Sequence, residues 1–482
     1  SYNYMVAALS EAGVGDVSGV SRQSTSPASP LGLSSDTQTS TSITLSWSAS
    51  VVSGGSAVTS YKVYANDGSS AAAALSQSAV ATTDGSTTVA TVSQLSPGLL
   101  YSFAVSAVSD AGEGEQSTVL AQSTSPGVPA SGPTSVHQTS TSISLDWSAP
   151  SSDGSSGEDA SGYRLYDVAG QNAVLLYDGP DAAYEQVGLT AGTSYSYAVS
   201  AVSAAGESPS TSTLVQSTAP AAPTGLSSSG WSTSGFDVSW SAPSGGGPAV
   251  TGYTLYERVT YEMADVGSTG GVPDAVLQTM LSEDTDTVVV DTVAYDGSGD
   301  TAVSTSLSGL SGGVSYDYVV AARSSAGEGA RSTALSVSTS PPAPGSVASV
   351  SQTTSSITLS WSAPVVTTGS AVTGYNVYIN DGSNADPSTV VSCGGDALST
   401  TCTASGLTGG VSYRFQVSAL STTGESDRSS VLTQLTAPAE VVANSMTFDS
   451  ITMTSMVLTW SAPSGTAATG YIVYRDDGDD QT

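Results

Sequence analysis

Residues Ile43 to Trp47 read ITLSW, and the same short pattern returns four more times along the chain. Apolar and polar residues alternate in it before a closing tryptophan, which predicts a β-strand with one buried face. The other copies are Ile143 to Trp147 (ISLDW), Phe236 to Trp240 (FDVSW), Ile357 to Trp361 (ITLSW) and Met456 to Trp460 (MVLTW). The sequence is therefore an internal repeat.

Three further landmarks follow each of the first four tryptophans in a constant order, and the first of these landmarks also follows Trp460. The first is a second strand with the pattern tyrosine, any residue, aliphatic residue, tyrosine, found at Tyr61–Tyr64, Tyr163–Tyr166, Tyr253–Tyr256, Tyr375–Tyr378 and Tyr471–Tyr474. The next is a leucine six residues before a tyrosine, which predicts a corner that enters a long, half-buried strand at Tyr101, Tyr195, Tyr316 and Tyr413. The last is a Gly-Glu pair, interpreted as a hairpin tip.

In this order and at this spacing, the landmarks resemble those of the fibronectin type III family. The resemblance covers the whole chain, with four complete copies and two partial ones. It implies seven-strand, two-sheet, immunoglobulin-like β-sandwiches of about 100 residues each, with the five tryptophans and the four corner tyrosines as core markers. The expected fold class is all-β, a tandem array of such sandwiches arranged as a rod.

Domain boundaries are predicted at a recurring Pro-x-x-Pro signature, as at Pro126 and Pro129. Such a stretch favours extended polyproline II geometry and stiffens each joint. The predicted units are a partial copy with strands F and G (1–26), complete copies over 27–125, 126–218, 219–340 and 341–436, and a partial copy with strands A to C (437–482). The partial copies are expected to be completed by covalent neighbours or by other copies of the chain.

The net negative charge of the chain restricts the classes of molecule that it can bind. Nine Lys plus Arg stand against 41 Asp plus Glu, a net charge of −32, which repels nucleic acids and anionic membranes. The sequence has no run of about 18 apolar residues, so no membrane insertion is predicted for this segment. The expected partners are other copies of the chain or neighbouring repeats, with glycans as a further class.

Two cysteines, Cys393 and Cys402, flank a Gly-Gly pair nine residues apart. This spacing favours a disulfide that clips a hairpin before the corner tyrosine of the fourth copy. A pair of reduced, half-buried thiols is the alternative. A disulfide would indicate an oxidising compartment, so the chain is expected to be secreted or on a cell surface.

Catalytic groups are few. The single histidine, His137, lies in an expected exposed strand, so no serine has a histidine base and no zinc site is predicted. We therefore predict a protein that is not an enzyme and has no cofactor. Calcium at the acidic turns, such as residues 475–480, stays an alternative, although the spacing is not that of an EF-hand loop. Serines and threonines beside prolines near the joints predict O-linked glycans.

The third copy carries an insertion at about residues 257–300, between strands C and E. Within it, TVVVDTVAY predicts a strand and residues 283–286 an acidic turn. We expect this insertion either to form a contact that occurs once per chain or to be an elongated surface hairpin without a partner. The candidate contact residues are Tyr261, Glu283, Asp284 and Asp286.

These features favour a structural subunit of an extracellular filament, such as a flagellar hair, a pilus-like filament or a wall fibril. Two alternatives stay open. One is the stalk of a cell-surface adhesin, and the other is a spacer inside a secreted carbohydrate-active enzyme.

Overall fold

The computed structural model describes residues 1–475, apart from 53, 69–73, 152–159, 263–271, 284–286 and 466–467. These residues form two compact units, one built mainly from residues 1–221 and the other mainly from residues 222–482. Strands dominate both units, which confirms the all-β prediction. Within the described ranges, no helix is long and apolar enough to cross a membrane.

The first unit begins with two short strand pairs. Its strands are β1 (Tyr2–Tyr4), β2 (Leu9–Ser10), β3 (Gly13–Val14) and β4 (Ser21–Gln23). The antiparallel pairs are β1 with β4 and β2 with β3. Tyr2 and Tyr4 of β1 are both more than half exposed.

Sandwich 1, residues 27–125, has two antiparallel sheets. Its strands are β5 (Leu31–Gln38), β6 (Ser42–Ser48), β7 (Val58–Ala65), β8 (Ala81–Asp84), β9 (Val89–Ser93), β10 (Leu100–Ser109), β11 (Gly112–Glu113) and β12 (Leu120–Ser123). One sheet has the order β5-β6-β9, and the other has the order β11-β10-β7-β8 with β12 also paired to β10.

Sandwich 2, residues 126–218, repeats this arrangement. Its strands are β13 (Ser131–Gln138), β14 (Ser142–Ser148), β15 (Gly162–Asp167), β16 (Val174–Gly179), β17 (Ala183–Val187), β18 (Ser194–Ser203), β19 (Gly206–Glu207) and β20 (Leu214–Ser217). The sheet orders are β13-β14-β17 and β16-β15-β18-β19, with β20 paired to β18. His137 is exposed on β13.

In the second unit, sandwich 3 (residues 219–340) differs by its insertion. Its elements are β21 (Thr224–Ser229), β22 (Gly235–Ser241), β23 (Gly252–Glu262), α1 (Asp274–Glu283), β24 (Thr287–Ser298), β25 (Ser304–Ser308), β26 (Ser315–Ser324), β27 (Gly327–Arg331) and β28 (Leu335–Ser338). The sheet orders are β21-β22-β25 and β24-β23-β26-β27, with β28 paired to β26.

Sandwich 4, residues 341–436, returns to the shorter form. Its strands are β29 (Gly345–Gln352), β30 (Ser356–Ser362), β31 (Val372–Ile379), β32 (Thr389–Val391), β33 (Thr401–Ser405), β34 (Ser412–Ser421), β35 (Gly424–Glu425) and β36 (Leu432–Leu435). The sheet orders are β29-β30-β33 and β32-β31-β34-β35, with β36 paired to β34.

The last partial copy has fewer strands than the sequence predicts. After a 3-10 turn at Ala443–Ser445, β37 (Thr447–Ile451) pairs with β38 (Met456–Thr459). The strand predicted at Tyr471–Tyr474 is absent, because no strand of the described residues lies beside it to pair with its backbone.

Each complete sandwich buries its tryptophan between the sheets. The indole packs edge-on against the first tyrosine of the neighbouring strand, with ring centroids 5.5 Å apart for Trp47 and Tyr61 and 5.3 Å apart for Trp361 and Tyr375. Such aromatic pairs add to the stability that apolar burial supplies. The same contact holds Trp147 on Tyr163 and Trp240 on Tyr253.

The strand that begins at the corner of sandwich 1, β10, is buried on both faces, so the half-buried prediction is wrong for it. In β10, Ser102, Ala104 and Ser106 are nearly inaccessible, although they lie opposite the core. Tyr64 is the partner of Ala104 across the strand pair, so its ring shares that outer face. Ser106 donates a hydrogen bond to Glu113, which covers the face from the next strand.

Candidate functional site

The end of each complete sandwich is fixed by the hydroxyl of its corner tyrosine. The backbone N–H of Ser96 donates to the Tyr101 hydroxyl at 2.8 Å, and Thr190, Ser311 and Thr408 do the same to Tyr195, Tyr316 and Tyr413 at 2.9 Å. A threonine closes the same corner, because Thr124 Oγ1 donates to the Ser96 carbonyl at 2.8 Å.

A buried serine hydroxyl joins adjacent sandwiches within each unit. Ser125 Oγ donates to the carbonyl of Ala205 at 3.1 Å, from the end of sandwich 1 to the β18–β19 turn of sandwich 2. In the second unit, Ser340 Oγ donates to the carbonyl of Thr423 at 3.1 Å, from sandwich 3 to the matching turn of sandwich 4. Both serines have no exposed surface. We call these two bonds the serine locks.

Further hydrogen bonds support the lock between sandwiches 3 and 4. Thr423 Oγ1 donates back to the Thr339 carbonyl at 3.3 Å. The backbone N–H of Gly369 donates to the Gly313 carbonyl at 3.1 Å, and the N–H of Ser315 donates to Thr368 Oγ1 at 3.0 Å. Two loops of sandwich 4 therefore bind the end of sandwich 3, which limits rotation about this joint.

In sandwiches 1, 2 and 4, the glutamate of the Gly-Glu pair accepts hydrogen bonds on the outer face of the longer sheet. Glu113 Oε1 accepts from the Tyr64 hydroxyl at 2.5 Å and from Ser106 at 2.6 Å, while Lys62 Nζ lies 2.8 Å from Oε2. The same set recurs in sandwich 2 as Glu207, Tyr166, Ser200 and Arg164, and in sandwich 4 as Glu425, Tyr378, Ser418 and Asn376. We call this set the outer-face glutamate network.

Sandwich 3 has a different outer face. Ala321 stands where the other sandwiches have the network serine, and it packs with Tyr256 and Val319 in a small apolar cluster. The Arg331 guanidinium lies 4.2 Å from the Tyr256 ring centroid. A cation over an aromatic face adds to the stability of this outer face.

We expect the outer-face network to make sandwich 1 sensitive to acid. Hydrogen bonds from Lys62, Ser106 and Tyr64 lower the pKa of Glu113 to about 2. A pKa lowered in the folded state stabilises the fold above the unfolded value near 4.5, and this contribution is lost as pH falls towards 2. Solvent screens a side chain that is 32% exposed, so Glu113→Gln should cost only about 1–2 kcal/mol at pH 7.

Hydrogen exchange of β10 between pH 7 and pH 3 measures this effect. The variant should lose protection at pH 7 and show a flatter pH dependence than the wild type. Glu115→Gln is the matched control, because it removes the same charge two residues away and lies outside the network. Equal pH dependence in the two variants would contradict the assignment.

The disulfide joins Cys393 to Cys402 with their Cα atoms 5.1 Å apart. Cys393 follows β32 of one sheet, whereas Cys402 lies in β33 of the other. The bond therefore connects the two sheets, and the prediction that it clips a hairpin is wrong. The physical reason is that residues 392–400 carry the chain from one sheet to the other, so the two strands do not pair.

Sandwich 2 has a pair of tyrosine rings where sandwich 4 has the disulfide. Tyr184 pairs with Leu145 in the way that Cys402 pairs with Leu359, and Tyr177 lies on the opposite sheet. The rings of Tyr177 and Tyr184 have centroids 5.3 Å apart. The same gap between sheets is thus closed by a covalent bond in sandwich 4 and by aromatic packing in sandwich 2.

The insertion of sandwich 3 is a long antiparallel ribbon with a helix in its connection. β23 pairs with β24 over eleven positions, from Gly252 with Ser298 to Glu262 with Thr287. The predicted strand TVVVDTVAY lies within β24. Tyr261 lies near the far end of β23, and Glu283 is the last residue of α1, while Asp284 and Asp286 lie outside the described residues. The acidic turn predicted at residues 283–286 therefore lies almost wholly outside the described residues. The sequence analysis did not predict the helix α1.

The insertion contains buried side chains and an ion pair. Val276 and Met280 of α1 are buried. The Arg258 guanidinium binds both carboxylate oxygens of Asp291, at 2.8 and 2.9 Å, and Arg331 also contacts that carboxylate. Hydrogen bonds from Arg258 lower the pKa of Asp291, against the opposing effect of its burial. Asp291 is therefore neutralised by two cations.

A search of the described residues for three or more His, Cys, Asp or Glu side chains placed to hold a metal ion finds none. The acidic cluster at 475–480 lies almost wholly outside the described part. What sequence reasoning missed is the serine lock and the outer-face network. Their traces in the sequence are the Ser-Thr-Ser runs that end at Ser125 and Ser340, directly before a proline, and the glutamate that recurs seven residues after the network serine.

Comparison with known proteins agrees with this architecture. Exoglucanase B of Cellulomonas fimi is 29% identical over 323 residues, which cover 62% of this chain and 24% of that protein. Chitinase A1 of Niallia circulans is 32% identical over 220 residues, 44% of this chain and 25% of that protein. Receptor-type tyrosine-protein phosphatase F of Bos taurus is 26% identical over 410 residues, 80% of this chain and 20% of that protein.

The chain spans about a quarter or less of the length of these relatives. The sequence model of the fibronectin type III domain matches residues 28–123, 128–217, 221–338 and 340–434. These ranges cover most of the chain and coincide with the four sandwiches that carry the tryptophan, the corner tyrosine and the Gly-Glu pair. The chain belongs to the fibronectin type III family.

Proposed function

We propose that this chain is a non-catalytic spacer of a secreted carbohydrate-active protein, in which locked pairs of sandwiches hold neighbouring modules apart. The single observation that carries the proposal is the serine lock, found at Ser125 and at Ser340. A spacer needs resistance to bending more than it needs a ligand site. Buried hydrogen bonds at the joints supply that resistance.

Each hydrogen bond at a joint contributes a modest free energy, but together these bonds suffice to keep the two sandwiches docked. One buried hydrogen bond between neutral groups contributes about 0.5–1.5 kcal/mol, and leaving its carbonyl unsatisfied costs about 1–3 kcal/mol. Several such bonds meet at the joint between sandwiches 3 and 4, so its undocked state is populated at only a few per cent or less by this estimate. The Pro-x-x-Pro stretch at each joint adds backbone stiffness.

The similarity to an exoglucanase and a chitinase supports the assignment to a carbohydrate-active protein. The disulfide supports an oxidising, extracellular location. The net charge of −32 keeps such a spacer soluble and away from other anionic surfaces. The filament subunit favoured by the sequence stays a prediction, and rods formed by the purified chain would support it.

We expect Ser125→Ala to loosen the joint between sandwiches 1 and 2. Spin labels at Val89→Cys and Val187→Cys, both exposed, would report the distance between these sandwiches in the full chain by pulsed electron resonance. The distance distribution should be narrow with Ser125 present and about twofold broader or more without it, because the joint loses a buried bond.

Ser340→Ala is the matched control, since it removes the same atom from the other lock and leaves sandwiches 1 and 2 unchanged. A broad distribution in the chain that keeps both serines would contradict the spacer proposal. Retention of a narrow distribution in Ser125→Ala would show that the lock is not what holds the joint.

A further inference from the structure

The ribbon of sandwich 3 ends in a free strand edge. β24 is the terminal strand of its sheet, and among the described residues no strand pairs with its other side. It is twelve residues long, rich in valine and threonine, and has no proline. Edge strands of this kind present unpaired backbone groups that another extended segment can pair with.

The ribbon also extends past the rest of its sheet. β23 pairs with β26 only as far as Arg258 with Asp317, whereas its pairing with β24 continues to Glu262 with Thr287. The four additional pairs reach about 13 Å beyond the last position paired to β26, at roughly 3.3 Å per residue. Over these four pairs an added strand would lie beyond the part of the sheet that contains β26, and its described neighbours would be β24 and the helix α1 that contacts β24.

Two exposed apolar side chains of β24 flank a neutralised charge. Val289 and Val293 are 53% and 58% exposed, and they share a face with Asp291. Because Arg258 and Arg331 bind the Asp291 carboxylate, an added strand would meet no unpaired charge at the centre of this edge.

The negative charge of the insertion favours a basic partner for the edge of β24. Residues 257–300 contain ten acidic residues and one arginine. A second copy of this insertion would bring the same excess of negative charge, and at physiological salt charges within about 8 Å still repel. A basic segment would be attracted instead, and its β-branched residues would pack against the exposed valines.

We propose that the free edge of β24 binds an extended peptide segment that alternates β-branched and basic residues, as an added strand of the sandwich 3 sheet. This binding function goes beyond the spacer role. Its failure would leave the distance distributions of sandwiches 1 and 2 unaffected, so the two proposals are tested separately.

The test uses the full chain and a fluorescent twelve-residue peptide of alternating lysine and valine, with anisotropy measured at 150 mM salt. A second peptide of the same sequence carries N-methyl groups on every other amide, so it keeps the charge and loses strand pairing. The first peptide should bind at least about tenfold more tightly than the second. Equal binding of the two would overturn the proposal, because charge alone would then suffice. Failure of the first peptide to bind would also overturn it.

Val293→Lys locates the site. It should weaken peptide binding about fivefold or more by placing a positive charge on the edge. Val174→Lys on β16, the corresponding edge strand of sandwich 2, is the matched control, because Val174 is also 58% exposed and the charge change is identical. Equal losses in the two variants would overturn the assignment to β24. Self-association of the wild-type chain that Val293→Lys abolishes would assign the edge to a second copy instead.

Discussion

Replacing Trp361 by alanine is expected to destabilise sandwich 4 by about 3–5 kcal/mol, because a large side chain is deleted from a packed core. The indole is 7% exposed and packs edge-on against Tyr375. A loss of this size is a large fraction of the stability of one domain. Hydrogen exchange of β34, followed by mass spectrometry in the full chain, should show a matching loss of protection.

Trp361→Phe separates ring burial from hydrogen bonding. The indole Nε1 is buried and has no hydrogen-bond partner among the described residues, as is also found for Trp47, Trp147 and Trp240. Phenylalanine keeps most of the apolar contact and removes an unsatisfied donor, so it should cost less than half as much as alanine. Equal costs would show that the indole N–H has a partner, such as a bound water.

Reducing the disulfide is expected to lower the stability of sandwich 4 by about 2–3 kcal/mol in the chain-entropy model. The bond holds the two sheets together at the point where residues 392–400 cross between them. A reductant should therefore increase hydrogen exchange in β32 and β33. The variant Cys393→Ser with Cys402→Ser should behave in the same way without any reductant.

Sandwich 2 provides the internal control for this experiment. Its sheets are closed at the same place by Tyr177 and Tyr184, which no reductant alters. Exchange in β16 and β17 should thus be unchanged by reduction. Loss of protection in both sandwiches would mean that the reductant acts elsewhere, and no loss in either would mean that the bond contributes little to stability.

The fold could be predicted because its signals are local and repeated. Alternation around Trp47 and Trp361 identifies strands, and the leucine six residues before Tyr101 or Tyr413 identifies the corner. These patterns depend on which side of a strand faces the core, and they predict the sandwich correctly. They do not predict that the outer face of β10 is also buried, because the groups that cover Ser106 come from two other strands.

The serine lock, the sheets that the disulfide joins and the helix α1 could not be predicted in the same way. Nothing in the run Ser-Thr-Ser shows that the hydroxyl of Ser125 bonds to a carbonyl 80 residues later. The disulfide was predicted as a pair, but which sheets it joins depends on where the chain crosses over. The helix α1 is encoded by ten residues inside an insertion, and the repeat offers no second copy for comparison.

The complete burial of Ser125 and Ser340, together with that of Thr124 and Thr339, has a consequence for biosynthesis. These hydroxyls are among those beside prolines where the sequence predicts O-linked glycans. A transferase cannot reach the two threonines once their own sandwich has folded, or the two serines once the sandwiches have docked. A sugar could be attached there only to the nascent chain, and it would then prevent docking. The timing of folding relative to glycosylation would therefore decide whether a given molecule leaves the cell with rigid or loose joints.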